Sequence, residues 1–391
     1  MDVYVYDDNL DLVGIVDEYK SLIWANRYFD LGDGELYVPA TAYNLSILRK
    51  GFYLAKVGSM MVCQIRKIEL DTDAENGNYL IITGVDAKAL LDQRIIWTTQ
   101  TANGNAEAFM RKLVDISLIT TTNSRRKMLK RDGTALLALG EAQGFTEELD
   151  EQVTYTNLGV KMREYCRKFG WGYNVIYNNG KFIFGLYKGQ NKANSVVFSD
   201  DYENLAETVY IEDDTNIGNV ALVAGEGQGS ARARQFVGVY SGVNRYEIFV
   251  DAKDISRTIT YADLVEAYPD GEVVTSAGVH YYVVDGEEIA TVPSNSPEPN
   301  DNVTLTDVAY LQYLVSRGYD KLAEYGAVKS FEGTIEPNTT FKYGVDYNLG
   351  DIVTVQNDFG ITVQARITEV IEVYDDTGYS LQPKFEYITE D

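Results

Sequence analysis

The sequence predicts an α+β fold, mostly β, divided among several domains. Three observations carry that expectation. Strand-length runs rich in β-branched and aromatic residues fill both ends of the chain. Apart from a brief helix after Pro39 and a helical turn in GVDAKALLDQRIIW, helical periodicity falls in a central stretch and in one long segment that starts near residue 306. Strands and helices do not alternate as a parallel α/β sheet requires. At 391 residues the chain exceeds one compact core and suits roughly two to four domains.

From the N-terminus, VYVY, the turn Asp7 to Asn9, LDLVGIV, SLIWANRY and ELYV read as short strands. After Pro39, TAYNLSILRKG predicts a brief helix with Thr41 as N-cap, Leu45 and Leu48 one turn apart, and Gly51 as its stop. MMVCQIRKIEL and NYLIITG form a hairpin around DTDAENG. That loop carries the alternating acids Asp71, Asp73 and Glu75 of a calcium loop, but Gly77 falls one place late and no closing Glu follows, so a solvated turn is expected. GVDAKALLDQRIIW then turns helical.

The period changes near residue 105. Ala106, Phe109, Met110, Leu113 and Val114 recur at helical spacing behind an Asn105 cap, and Leu158, Met162, Tyr165, Cys166 and Phe169 repeat the pattern up to Gly170. Both stripes read as core. GWGYNVIYNNGKFIFGLY is a hairpin turning on Asn178, Asn179 and Gly180. Beyond residue 190, VVFSD, TVYIEDD, NVALVAG, ARQFVGVYSG and RYEIFVDA read as strands. Residues 262–303 hold Pro269, Pro293, Pro297 and Pro299 in a Ser/Asn/Glu-rich setting, which reads as a surface insertion or flexible arm. A long helix follows near 306–325, with its apolar face expected at Val308, Leu311, Val315 and Leu322. The chain then closes in a meander whose turns are Asn357 to Gly360 and Asp376 to Gly378.

Composition narrows function. Fifty-nine acids against 34 Lys and Arg give a net charge of −25, and no Lys or Arg occurs between Lys192 and Arg232 or between Arg257 and Arg317. Such a surface repels a phosphate backbone, so tight nucleic-acid binding is disfavoured. The exception is SRRKMLKR, whose Arg125, Arg126, Lys127, Lys130 and Arg131 read as a solvated hairpin or a contact to an acidic neighbouring subunit, ahead of a phosphate grip. Cys63 and Cys166 cannot make a disulfide framework or a four-thiolate site and read as small buried residues. The single histidine, His280, sits in an apparent strand and excludes multi-histidine metal chemistry within one chain. No apolar run is long enough to span a bilayer, and the acidic start offers no Sec signal.

The segment LVAGEGQGSARAR poses the sharpest question, because glycines after a strand can cradle phosphate and Asp251 follows at the distance of a ribose-binding acid. Gly225, Gly227 and Gly229 alternate, and strand-like sequence rather than a helix follows them. No helix N-terminus is therefore available for phosphate, and the segment reads as a connection between two antiparallel strands. Whether the loop touches a neighbouring subunit stays open at this point, and Arg232 and Arg234 are the residues where such a contact would lie. No catalytic, cofactor-binding or metal-binding residue is assigned.

Several stretches in succession resemble a family of siphophage tail proteins: DNLDLVGIVDEYKSLIWANRYFDLGDGELYVPAT, GVDAKALLDQRII, NVALVAGEGQGSAR, GVNRYEIFVDAKDIS and VKSFEGTIEPNTTFKYGVDYNLGDIVTVQ. These are baseplate hub proteins, similar to the N-terminal structural module of tail-associated lysins. The resemblance implies two tail-tube-like β-barrel domains with a smaller α+β domain between them. It divides the chain into an N-terminal barrel-like domain at 1–97 with one helix, an α+β domain at 98–190, and a mostly β region at 191–391 with the insertion near 262–303 and a barrel-like meander at 329–391. It further implies a homotrimeric ring in the virion tail, made in the host cytoplasm, that meets distal-tail or tail-tube ring proteins above and tip or fibre proteins below. DNA would pass through without tight binding. The sequence stops just after the meander, so no lytic domain and no enzymatic activity are expected. The alternative is a tail-tip protein that binds or cleaves cell-wall carbohydrate, motivated by acids beside aromatic residues such as Trp97 and Trp171.

Overall fold

The computed structural model describes residues 1–73, 77–326, 328–334, 340–357 and 359–388. The tip of the acidic turn, Glu75 included, lies outside them. The first strands are β1 (Val3–Tyr6), β2 (Leu12–Val16), β3 (Ser21–Arg27) and β4 (Asp33–Pro39), followed by helix α1 (Ala42–Ile47), β5 (Tyr53–Lys56), β6 (Val62–Asp73) and β7 (Gly77–Asp86). Their alternating burial is the period of a half-buried sheet: Val3 and Val5 in β1 and Leu36 and Val38 in β4 point into a core around Trp24. Thr41 caps α1 as expected, its side chain accepting from the Asn44 amide.

The middle of the chain holds β8 (Gln100–Asn105), α2 (Ala106–Val114), β9 (Leu137–Leu139), β10 (Glu148–Val153), α3 (Leu158–Phe169), β11 (Gly172–Asn178) and β12 (Lys181–Tyr187). Asn105 and Asn157 cap the two helices, and Gly170 ends α3 at φ 64°, a conformation that favours glycine. The stripes on α2 and α3 are core: Met110, Leu113, Met162 and Cys166 are fully buried. Strands β13 (Val197–Ser199) and β14 (Ala206–Asp213) follow.

Next come β15 (Val220–Ala224), β16 (Arg234–Val237), β17 (Glu247–Asp251), β18 (Thr258–Thr260), α4 (Tyr261–Ala267), β19 (Glu272–Ser276), β20 (Val279–Val284), β21 (Glu287–Val292), β22 (Asn302–Leu305) and α5 (Asp307–Ala323). Two expectations are corrected here. Residues 262–303 are no flexible arm: α4 and β19–β22 are ordered elements whose Tyr282, Ala290 and Val303 join one core with residues of β15–β17 and α5. The buried face of α5 is Tyr310, Tyr313, Leu314, Arg317 and Gly318, while Val308 is 65% exposed. Leu311, Val315 and Leu322 pack partly buried against that core as expected, but its centre is made largely by tyrosines and an arginine, which counting aliphatic residues does not pick out. The chain ends with β23 (Val328–Thr334), β24 (Ile352–Gln356), β25 (Thr362–Asp375) and β26 (Gly378–Tyr387).

The strands from both ends merge into a 13-stranded sheet of order β14-β23-β26-β25-β3-β4-β7-β6-β5-β1-β2, with β24 on β25 and β13 on β24. Among the described residues no sheet closes into a barrel. The large sheet is instead built from one unit used twice. In the first copy the order is β3-β4-β7-β6-β5-β1, in the second β14-β23-β26-β25-β24-β13, and the two sets match strand for strand along the chain. Both long hairpins carry a bulge at the same place, skipping Arg66 in one and Thr368 in the other. Beyond the bulge they run from Lys67↔Thr83 to Asp73↔Gly77 and from Glu369↔Lys384 to Asp375↔Gly378. Leu54 pairs Cys63 where Val353 pairs Ala365, and all four are buried. One difference is direction: β1 is antiparallel to β5, whereas β13 is parallel to β24. The middle elements lie between the copies, and β15 to α5 are inserted within the second.

Candidate functional site

The glycine loop is held by its own chain. β15 turns back antiparallel into β16, as its sequence predicts, and the only helical piece between them is the 3-10 turn Gly229–Ala231. Strand β17 lies parallel on the other side of β15 and brings Asp251 beside the loop, paired in register with Ala224. Arg232 fills the space between, donating to Gly225 O at 2.8 Å, to Ala224 O at 2.7 Å and to the Asp251 carboxylate. Arg232 thus clamps the loop within its own chain, while Arg234 is exposed on β16. Glycine at 225 is steric: an added Cβ would lie 2.2 Å from the Tyr310 hydroxyl, which accepts from the Glu226 amide.

The remaining candidate residues are similarly engaged. The thiols of Cys63 and Cys166 are fully buried, and burial pushes both well above the ordinary range. His280 Nδ1 lies 2.8 Å from the Thr275 hydroxyl. Among the described residues no group of three or more His, Cys, Asp or Glu is arranged to hold a metal. Trp171 is fully buried between Phe145 and Phe169, and Trp97 is covered by the Arg126 guanidinium at 4.3 Å. Trp171 is thus closed to a sugar ring, whereas Trp97 stays 50% exposed beside that guanidinium. In the basic cluster, Arg131 pairs with Asp7 and Asp8 of the β1–β2 turn, so its acidic neighbour is in the same chain.

What the fold does build is junctions. At the seam between the two sheet copies, β25 pairs antiparallel with β3 from Glu369↔Arg27 to Tyr374↔Leu22. Arg27 donates to Glu369 at 2.6 Å, and the buried Lys56 ammonium reaches Glu372 at 3.0 Å. The Tyr374 and Tyr379 hydroxyls donate to that same carboxylate. A second junction ties α3, α5 and β10 together around Glu151, which is fully buried. Lys161 sits 2.6 Å from it and Arg317 3.5 Å, and Arg317 also grips Asp254 with two bonds. Burial works against each of these charges, but their mutual attraction overcomes it, holding Glu151 below the usual carboxylate range and Lys161 and Arg317 above theirs. The neighbouring Asp150 has no such partner: burial pushes its carboxyl up to about 6, Lys168 opposing and Glu151 reinforcing the shift.

Sequence reading missed both junctions. Lys56, Glu372, Glu151 and Arg317 are ordinary charges in the sequence, and only the pairing of distant strands and helices buries them.

A family model described as Siphovirus ReqiPepy6 Gp37-like protein matches residues 2–385. The chain belongs to this siphovirus Gp37-like family. Three solved structures share the fold described above. A tail protein from Neisseria meningitidis MC58 aligns with a TM-score of 0.54 at 11% identity, covering 98% of this chain and 95% of that one. The 43 kDa tail protein of prophage MuSo2 from Shewanella oneidensis gives 0.53 at 11% identity, with 98% of both chains covered. Prophage tail protein gp18 from Listeria monocytogenes EGD-e gives 0.52 at 12% identity, covering 100% and 96%. No curated protein matches the chain by sequence. This Gp37-like chain is thus a mostly β protein of a siphovirus family with the fold of phage tail proteins, and among its described residues no helix is long and apolar enough to cross a membrane.

Proposed function

We propose that this chain is a structural hub of a phage tail, non-enzymatic, forming a homotrimeric ring in the baseplate or tail tip that joins the tail tube to the tip and surrounds the DNA exit channel. The observation that carries the reading is the duplicated six-strand unit. Two copies lie side by side in one open sheet, so three chains supply six similar units, the number needed to meet a sixfold tube. These copies are the counterparts of the two tail-tube-like domains that the sequence resemblance implies. The net charge of −25 suits a wall past which DNA slides without sticking. Distal-tail or tail-tube ring proteins would bind one face and tip or fibre proteins the other.

Light scattering of the purified chain across micromolar concentrations tests the reading. A particle of three times the 43.8 kDa chain mass is expected. A stable monomer at the highest concentration contradicts it.

A further inference from the structure

The duplication leaves two strand edges without the partner that their counterparts have. In the second copy, the stretch of β25 beyond the bulge is covered by β3. The same stretch of β6 in the first copy, Lys67 to Asp73, has β7 on one side and, among the described residues, no strand on the other. Likewise β3 has β25 on its outer side, whereas its counterpart β14, among the described residues, pairs only with β23 and ends the sheet. One copy thus has a vacant seat and the other a strand that fits it.

We infer that the β6 edge of one chain pairs antiparallel with the β14 edge of a second copy, repeating between molecules the seam that β25 and β3 make within one. The inference rests on the trimeric reading above and specifies its interface. The shared register fixes the contacts. Leu70 occupies the place of Glu372 and Tyr210 that of Trp24, because Tyr210 faces Phe331 as Trp24 faces Gly34, and those two strands meet β26 and β7 at equivalent rows. Since Glu372 faces Trp24, Leu70 faces Tyr210 of the second copy. The row then reads Lys67 on Asp213, Ile68 on Glu212, Glu69 on Ile211, Leu70 on Tyr210 and Asp71 on Val209.

Three features of that row support it. Lys67 opposite Asp213 reproduces with reversed sign the Arg27–Glu369 pair of the internal seam. No like charges oppose one another, whereas a slip of two residues in one direction sets Glu69 against Asp213. Leu70, Val209 and Ile211 are 56%, 53% and 39% exposed, apolar surface on the two edges that a partner strand would cover. Because the two edges differ, the contact is heterologous and passes from chain to chain until a ring closes.

Cysteine cross-linking of the full chain tests this. With Glu69→Cys and Ile211→Cys in one chain, mild oxidation is expected to give covalent dimers and then closed trimers, because directly opposed strand residues lie within disulfide reach. Glu69→Cys with Asp213→Cys, displaced by two residues, is expected to cross-link at least tenfold more slowly. In a separate arm, Lys67→Asp weakens assembly and Lys67→Asp with Asp213→Lys restores it. Trimers that form without the Glu69/Ile211 cross-link, or that favour the displaced pair, overturn this junction and leave the ring standing. Chains that scatter as monomers overturn the ring and the junction together.

Discussion

The outer edges of β25 and β6 occupy the same position in two copies of one unit, and their side chains differ in an instructive way. On the closed edge, Glu372 is buried, with Lys56, Tyr374 and Tyr379 satisfying its oxygens. On the open edge the same position is Leu70, more than half exposed. A carboxylate sits where the strand is covered and an apolar residue where it is bare. The shared frame sets where a partner strand can pair; the side chains then adapt to what covers them, with charge tolerated only where partners are built in.

Breaking the closed seam should have the largest effect. Lys56→Met strips Glu372 of its cation while leaving it buried, and about 3–5 kcal/mol of stability should be lost in chemical denaturation. A loss under about 1 kcal/mol would mean that the two tyrosines suffice. Arg317→Met tests the other junction. It leaves Glu151 with Lys161 alone and unties α5 from Asp254, with an expected loss of about 3 kcal/mol by the same measurement.

Asp150→Asn should act in the opposite direction. A carboxyl whose folded pKa is raised to about 6 disfavours the fold once ionised, fully so above pH 6 and not at all below its unfolded value near 4. The substitution should therefore stabilise by roughly 1–3 kcal/mol at pH 8, and the gain should vanish as pH falls from 6 to 4. A pH-independent gain would assign the effect to packing. The smallest change is expected on the open edge: Leu70→Ser should alter the stability of the dilute chain by less than about 0.5 kcal/mol, since its site is exposed, while weakening assembly. A loss of stability as large as that of Lys56→Met would mean that Leu70 is already covered within one chain.

Local features were legible in the sequence because they depend on neighbours along the chain. The Thr41 and Asn105 caps, the Gly170 stop, the Asn179–Gly180 turn and the core stripes of α2 and α3 all follow from spacing. The glycine segment was read as a link between antiparallel strands, and its geometry agrees, although the parallel return of β17 and the Arg232 clamp were not visible. The seam was hidden because Arg27 and Glu369 are far apart in sequence and meet only through sheet pairing.

The duplication was hidden for a packing reason. In the first copy Trp24 lies against Gly34, where an added Cβ would approach the indole to 2.8 Å, and Gly84 sits in the next strand. In the second copy the same row is Tyr210, Phe331 and Phe385, with Tyr210 and Phe331 rings 5.2 Å apart. One large ring against a glycine in one copy and aromatic residues at all three places in the other fill the same layer differently, so the frame is shared while the letters are not. The candidate site suffered likewise: nothing in LDTD or YIED distinguishes an open edge from a covered strand.

Electron cryo-microscopy of the assembled tail tests the central claim most directly. Viewed down the tail axis, the account predicts a ring of three chains in which six similar β units alternate, each β6 edge continuous with a β14 strand of the next chain. A ring whose adjacent chains meet through other elements, or a chain present as one copy on the axis, would contradict it.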